Sequence, residues 1–444
     1  MSAALFVFGI LIFLVGMGLS IALHEIGHLI PAKAFGVKVT QYMVGFGPTM
    51  WSRHKGETEY GVKAIPLGGY IRMIGMYPPA PGADPTMLRA STTGRFATLI
   101  DDARQQSLEE VTPDAVDRVF YKLPVRKRIV VMLGGPTTNL ILAFVLFTIV
   151  LCGIGIQTAT TKVGAVVPCT PTASNVDGTL NANGTCAPST RTPAAIGGLL
   201  VGDKILSVAG TPVTTWPEEQ AAIKAAPVGD VPMLVERDGR EVTLTIPMAA
   251  IERPVYDPAT GKDTGQKETR NFVGIAPAAE RQTVAVSAVP SYVWNLTTAS
   301  VQKIVTLPVR MWDLMRQTFT SEPRDRDGIV GIVGAGRITG EAVALENTPV
   351  LDKTAFVLGL LAGLNLFLFL FNLVPLLPLD GGHVAGAIWE SIKRGWAKLR
   401  KRPDPGPVDI AKALPLTYAM SVLLVGMGAI TILADVIKPI TIGG

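Results

Sequence analysis

Residues 1–30 read MSAALFVFGILIFLVGMGLSIALHEIGHLI. The first 23 positions carry no charged side chain, and a helix needs about 20 apolar residues to cross a bilayer. The stretch has no basic leading region and no small-residue cleavage site, so it reads as a spanning helix rather than a cleaved leader. His24, Glu25 and His28 then form an H-E-x-x-H pattern. At 3.6 residues per turn the two histidines leave one helical face. Neutral imidazoles there can share one metal ion, and Glu25 is placed to take a proton from water that the ion polarises. Five such residues also occur by chance in soluble helices. At membrane depth, however, a Glu costs about 3 kcal/mol or more unless compensated. The plain alternative has all three solvated just beyond the membrane edge.

Working outward, residues 129–161, 354–379 and 413–434 also lack charge. Of 444 residues 48% are hydrophobic and 17% charged, where soluble domains carry about 25% charge. The expected fold class is an α-helical polytopic membrane protein of four transmembrane segments. The net charge of +5 follows topology, and no nucleic-acid partner is expected. Lys and Arg number fourteen against nine acidic residues in 31–128, and seven more lie between 376 and 414. The positive-inside rule makes those loops cytoplasmic and places 157–353 and both termini extracytoplasmic. Cys169 and Cys186 then fall where a disulfide persists, worth about 3 kcal/mol for so short a loop; two unpaired thiols are the alternative.

The same topology points to a third metal ligand. A catalytic zinc takes three protein ligands and keeps one position open. Asp380 is the first charge after 26 uncharged residues, and it falls on the same side as the end of segment one. His24, His28 and Asp380 can therefore meet at one depth. Pro375, Pro378, Gly381 and Gly382 break the helix around Asp380 and free backbone to bend toward the metal. His383 is a rival ligand or an outer partner, and Glu341 and Glu390 are rivals by type. A structural four-ligand site would call for Cys, and none is near. His54 is expected to be structural.

The expected domains are 1–30, the first transmembrane segment; 31–77, a membrane-associated β-sheet; 78–128, a flexible cytoplasmic insertion and linker; and 129–157, the second segment. They continue with 158–250, an extracytoplasmic α+β domain; 251–353, a β extension and amphipathic helical linker; 354–383, the third segment; 384–412, a basic cytoplasmic loop; and 413–437, the fourth segment. Runs 37–44, 58–65 and 70–74 are rich in β-formers, and turn glycines including Gly68 and Gly69 punctuate them.

The run Pro193–Gly210, followed by a helix at 216–224 and strands at 233–237 and 241–246, resembles the PDZ domains of bacterial proteases. H-E-x-x-H in the first apolar segment, with Asn372, Pro375, Pro378 and Leu379–Asp380–Gly381–Gly382 in a later one, resembles the site-2 protease family. Gly134–Gly135–Pro136–Thr137–Thr138–Asn139 is similar to that family's second segment. One PDZ among four segments resembles the bacterial type that releases sigma factors, and the insertions resemble its actinobacterial members. The resemblance implies a zinc intramembrane protease with His24, His28 and Asp380 as ligands and Glu25 as base. It implies transmembrane substrates, namely anti-sigma factors and possibly signal-peptide remnants, in contact with membrane lipid. An upstream site-1 protease would cut the same substrate first. The expected location is the inner (plasma) membrane, with the active site near the cytoplasmic side.

A helical substrate must unwind before attack, and its freed backbone can pair with a sheet edge. The 37–74 region, with Gly68 and Gly69, is the expected edge. Asn372 and Asn139 are candidates to hold the unwound substrate or stabilise an oxyanion; helix–helix hydrogen bonding is the plainer role. Asn365 is expected to be structural. Departures from the family pattern are 78–118, 169–192 and Asp327–Ile332, which stands where a Gly–Pro pair is usual. The rival function is a catalytically silent membrane PDZ receptor, which Glu25→Ala would leave unchanged.

Overall fold

The computed structural model describes residues 2–76, 78, 111–170, 178–181, 184–186, 189–256, 263–325, 327–346 and 348–442. Most of the expected 78–118 insertion and part of the loop after Cys169 lie outside the described residues.

Along the chain run α1 (Ala3–Ala34), β1 (Val39–Lys55), β2 (Thr58–Met73), α2 (Val125–Thr148), β3 (Ile156–Val166), α3 (Pro193–Ile196), β4 (Lys204–Val208), β5 (Thr211–Pro212) and α4 (Trp216–Ala225). Then follow β6 (Gly229–Arg237), β7 (Arg240–Tyr256), β8 (Asp263–Phe272), β9 (Ile275–Gln282), α5 (Val289–Val305), α6 (Leu307–Phe319), α7 (Ile332–Ala344), α8 (Val350–Asn372), α9 (Asp380–Leu399) and α10 (Leu414–Ile437). A π-helical turn, Ile149–Ile154, prolongs α2. Contacts divide the chain into two compact units, residues 1–154 with 284–444, and residues 155–283.

In the first unit, four helices among the described residues are long and apolar enough to cross a membrane: Ala3–Ala34, Val125–Ile154, Val350–Asn372 and Ile410–Ile437. The helix α1 is apolar all round, with Leu5, Val7, Phe8, Leu11, Val15 and Leu19 exposed. Such a helix suits lipid, and in water it would be an untenable patch. Its glycines set the packing, because small residues let helix backbones approach. A Cβ on Gly9 would lie 2.8 Å from the backbone of Thr339 and Gly340 in α7, and one on Gly16 2.6 Å from Leu361 in α8. At Gly27, a Cβ would lie 2.4 Å from the Gly134 carbonyl of α2. One helix therefore meets three neighbours at three glycine notches. Between them, Asn365 of α8 donates to Ser20 Oγ at 2.9 Å and is fully buried, the structural role expected of it. The helix α7 lies where the sequence suggested only a linker.

The strands β1 and β2 bend back on themselves. Gln41–Val44 pairs with Gly69–Arg72 on one side and with Glu59–Val62 on the other, while Trp51–Lys55 pairs with the Thr58–Val62 stretch. Two long strands thus supply the pairing of a four-stranded antiparallel sheet. Its outer turn carries exposed Phe46, Met50, Trp51, Val62 and Ile65. The base is anchored by Arg118, which pairs with both oxygens of Glu57 at 2.7 Å.

The second unit is an antiparallel sheet of order β8-β7-β6-β4-β3-β9, with β5 on β4. Val231, Met233 and Val235 alternate inward along β6, as a half-buried strand requires. They pack with Ile205, Val208 and Ile246. The helix α4 starts on a Thr215/Glu218 capping box. Cys169 and Cys186 are disulfide-bonded. The strands beyond residue 250, read from sequence as a β extension, are members of this one sheet. Register explains it: β7 runs on past Ile246 and pairs with β8 from Ala249 to Phe272 onward.

Candidate metal centre

Three elements converge below the Gly27 notch. The helix α1 brings His24 and His28 one turn apart. The helix α2 crosses it so closely that a Cβ on Gly134 would lie 2.0 Å from the Gly27 carbonyl. The third element is the turn between α8 and α9. Helix α8 stops at Asn372, and Asp380 opens α9. That turn is too tight for side chains at its glycines: a Cβ on Gly381 would meet the Val374 carbonyl at 2.4 Å, and one on Gly382 the Leu377 nitrogen at 2.6 Å.

His24 Nε2 and His28 Nε2 lie 3.2 Å apart, and each is 3.4 Å from Asp380 Oδ2. Atoms bound about 2.0–2.1 Å from a tetrahedral zinc lie about 3.3–3.4 Å from one another. The three donors therefore form one face of a zinc tetrahedron. Among the described residues this is the group of His, Cys, Asp and Glu whose ligand atoms converge in this way. A Cβ on Gly135 would lie 2.2 Å from His28 Nε2 and 2.7 Å from His24 Nε2. Glycine at that position keeps the space beside the triangle clear.

The remaining ring nitrogens fix the tautomers. His28 Nδ1 is 2.8 Å from the Val131 carbonyl. A carbonyl only accepts, so Nδ1 carries the proton and Nε2 offers a lone pair. The Gly135 amide, 3.4 Å from the same Nδ1, is too distant to reverse that. His24 Nδ1 lies 3.2 Å from Asn139 Nδ2, while Asn139 Oδ1 is buried without a partner. Amide oxygen and nitrogen are assigned from hydrogen bonding. Exchanging them lets Oδ1 accept from His24 Nδ1–H, removes the orphaned oxygen and leaves Nε2 for the metal.

Asn139, a candidate for substrate binding from the sequence, is fully buried, and its side chain contacts the His24 ring. Asn372, at the last turn of α8, is half-buried and makes no side-chain hydrogen bond among the described residues. Glu25 is buried on α1, next to His24 in sequence and three residues before His28. A Cβ on Gly69 would lie 3.0 Å from Glu25 Cγ and 3.1 Å from Ile21 Cγ2, so β2 passes close against α1 beside Glu25. Gly68 takes a φ of +97°, which favours glycine. Both rival acids are engaged elsewhere. Glu341 pairs with Arg337 at 2.9 Å, and Glu390 with Arg128 and Arg394. His383 stands outside the converging group, and exposed His54 belongs to β1. The tight α1–α2 crossing and the close approach of both histidine rings to Gly135 were not foreseen from sequence; the Gly134–Gly135–Pro136 run inside an apolar helix was the signal.

The model of Peptidase family M50 matches residues 12–403. The chain belongs to this family, the site-2 proteases. The relatives agree over full length. Zinc metalloprotease Rip1 of Mycobacterium bovis is 33% identical over 441 residues, covering 98% of this chain and 99% of its own. Rip1 of Mycolicibacterium smegmatis is 31% identical, covering 99% of both. Metalloprotease MmpA of Caulobacter vibrioides is 29% identical, covering 87% of this chain and 88% of its own. This M50 protein is a metalloprotease of the membrane, and its cofactor is zinc. The silent-receptor alternative falls with that assignment.

Proposed function

We propose that this protease cuts transmembrane segments of single-span membrane proteins within the bilayer. The carrying observation is the 3.2–3.4 Å triangle of His24, His28 and Asp380, set on helices apolar enough to cross a membrane. Zinc held there supplies the Lewis acidity that makes water nucleophilic near neutral pH. Glu25 takes the proton from the attacking water and returns it to the departing peptide nitrogen. Asn139 holds the His24 ring, and Asn372 holds the unwound substrate backbone. The 69–73 stretch, passing beside Glu25, offers that backbone a strand to pair with, near Gly68 and Gly69.

The basic loops support a cytoplasmic active site, with both termini and residues 155–283 extracytoplasmic. The Cys169–Cys186 bond fits an oxidising compartment. The 155–283 unit has the strand and helix order of a PDZ domain, with β9 on its edge. On this reading it acts as a gate or size filter. It admits anti-sigma factors or signal-peptide remnants already shortened by a site-1 protease.

The test is cleavage of a single-span type II model substrate by the full-length protein in detergent. Wild type, Glu25→Ala and Asp380→Ala are compared with and without a zinc chelator. Cleavage by wild type alone, lost on chelation, is the expected result. Equal cleavage by Glu25→Ala, or cleavage confined to soluble substrates, would overturn the proposal.

A further inference from the structure

The helix α9 starts at Asp380 and runs for 20 residues beyond the metal centre. Its inward side holds Ala387 and Glu390, and the Glu390 carboxylate is 1% exposed between Arg128 and Arg394. Its other side is unpartnered among the described residues. Ile388, Trp389, Ile392, Trp396 and Leu399 are 47–78% exposed. At 3.6 residues per turn these five fall within an arc of about 100°, directly opposite the buried side. Exposed Lys393 and Arg400 border the arc on one edge, and exposed Lys398 lies about 80° beyond the other. The Arg400 guanidinium stacks on Trp396 at 4.5 Å. Beyond Asp380 the helix has one acid, Glu390, and it points inward.

We propose that this face of α9 lies on a bilayer surface containing anionic lipid, with the five apolar side chains among the acyl chains and the basic edges on headgroup phosphates. Two observations select lipid over protein as the occupant. Helix α9 follows after a short turn from α8, a helix apolar enough to span, so it starts where a spanning segment ends. Its apolar arc is bordered by positive charge alone, the pattern of helices that lie in the interface plane, and each Lys or Arg near an anionic surface adds attraction. Asp380 is the first residue of the helix, so this seating also sets the depth of the third metal ligand.

The test uses the full-length protein with Cys152→Ala, spin-labelled at Ile392→Cys or, as a water reference, at exposed Pro407→Cys. It is placed in nanodiscs of phosphatidylcholine with and without phosphatidylglycerol. At Ile392 the label should be reached by oxygen and shielded from a water-soluble nickel complex, more so with phosphatidylglycerol. The Lys393→Glu/Lys398→Glu variant should lose that lipid-charge difference while retaining zinc. Nickel access at Ile392 equal to that at Pro407 would put the face in water and overturn the proposal. Spin–spin broadening between Ile392 labels would put a second copy there instead. Shielding insensitive to lipid charge would overturn the anionic requirement.

Discussion

Replacing Gly135 by alanine adds one methyl group against both histidine rings of the triangle. The added carbon would sit 2.2 Å from His28 Nε2 and 2.7 Å from His24 Cε1 and Nε2. Carbon and nitrogen reach contact at about 3.5 Å. The ring, or helix α2, must therefore retreat by about 1.3 Å, whereas metal–ligand distances tolerate about 0.2 Å. Retreat of α2 would also pull Val131 from His28 Nδ1, a bond of 2.8 Å. Loss of an outer partner alone costs about 10–100-fold in metal affinity, so displacement of a ligand should cost at least about 100-fold. The assay is zinc retained per protein during chelator titration of the full-length protein, with helix content followed by circular dichroism. Gly18→Ala is the control, because a Cβ there meets nothing within 4 Å. A Gly135→Ala protein that is folded and holds zinc as tightly as wild type would show that the triangle is not the metal site.

Two further outcomes follow from named contacts. Asn139→Ala should weaken zinc retention about 10–100-fold, while Asn139→Asp, which keeps an acceptor oxygen, should hold it; equal retention by all three proteins would refute the orienting role. Glu219 of α4 is fully buried, and neither carboxylate oxygen has a hydrogen-bond partner among the described residues. Burial pushes its pKa up to about 8. Between about pH 4.5 and 8 the folded form then binds more protons than the unfolded one, so stability of the 155–283 unit falls as pH rises, by at most about 1.4 kcal/mol per pH unit. Glu219→Gln should flatten that slope in amide exchange of strands β6 and β7; an unchanged slope would assign it to another group.

The metal triangle was the most legible part of the sequence, because its chemistry has a fixed spacing. His24 and His28 are set by helix period, and Asp380 by the side of the membrane on which charge resumes. Packing was less legible. Gly9, Gly16 and Gly27 are spread along an apolar run, and nothing in that run tells which neighbour each receives. The helix α7 had a signal in Gly336 and Gly340, small residues four apart and so on one helical face, but the short apolar stretch read as linker. The double pairing of Gln41–Val44 depends on where two long strands bend, which turn chemistry marks and register alone decides. Asn139 shows the limit at one residue: an amide in an apolar helix signals a polar partner without saying whether that partner is a substrate or a histidine.

The ligands of the metal centre stand at opposite ends of the chain. His24 and His28 belong to α1, whereas Asp380 follows α8. A ribosome that has made α1, α2 and the whole of residues 155–283 has still produced only two corners of the triangle. The nascent protein therefore cannot complete its cutting centre until α8 and the start of α9 have been translated and α8 has docked against α1. Its order of synthesis keeps an incomplete protease from acting on the membrane segments emerging around it.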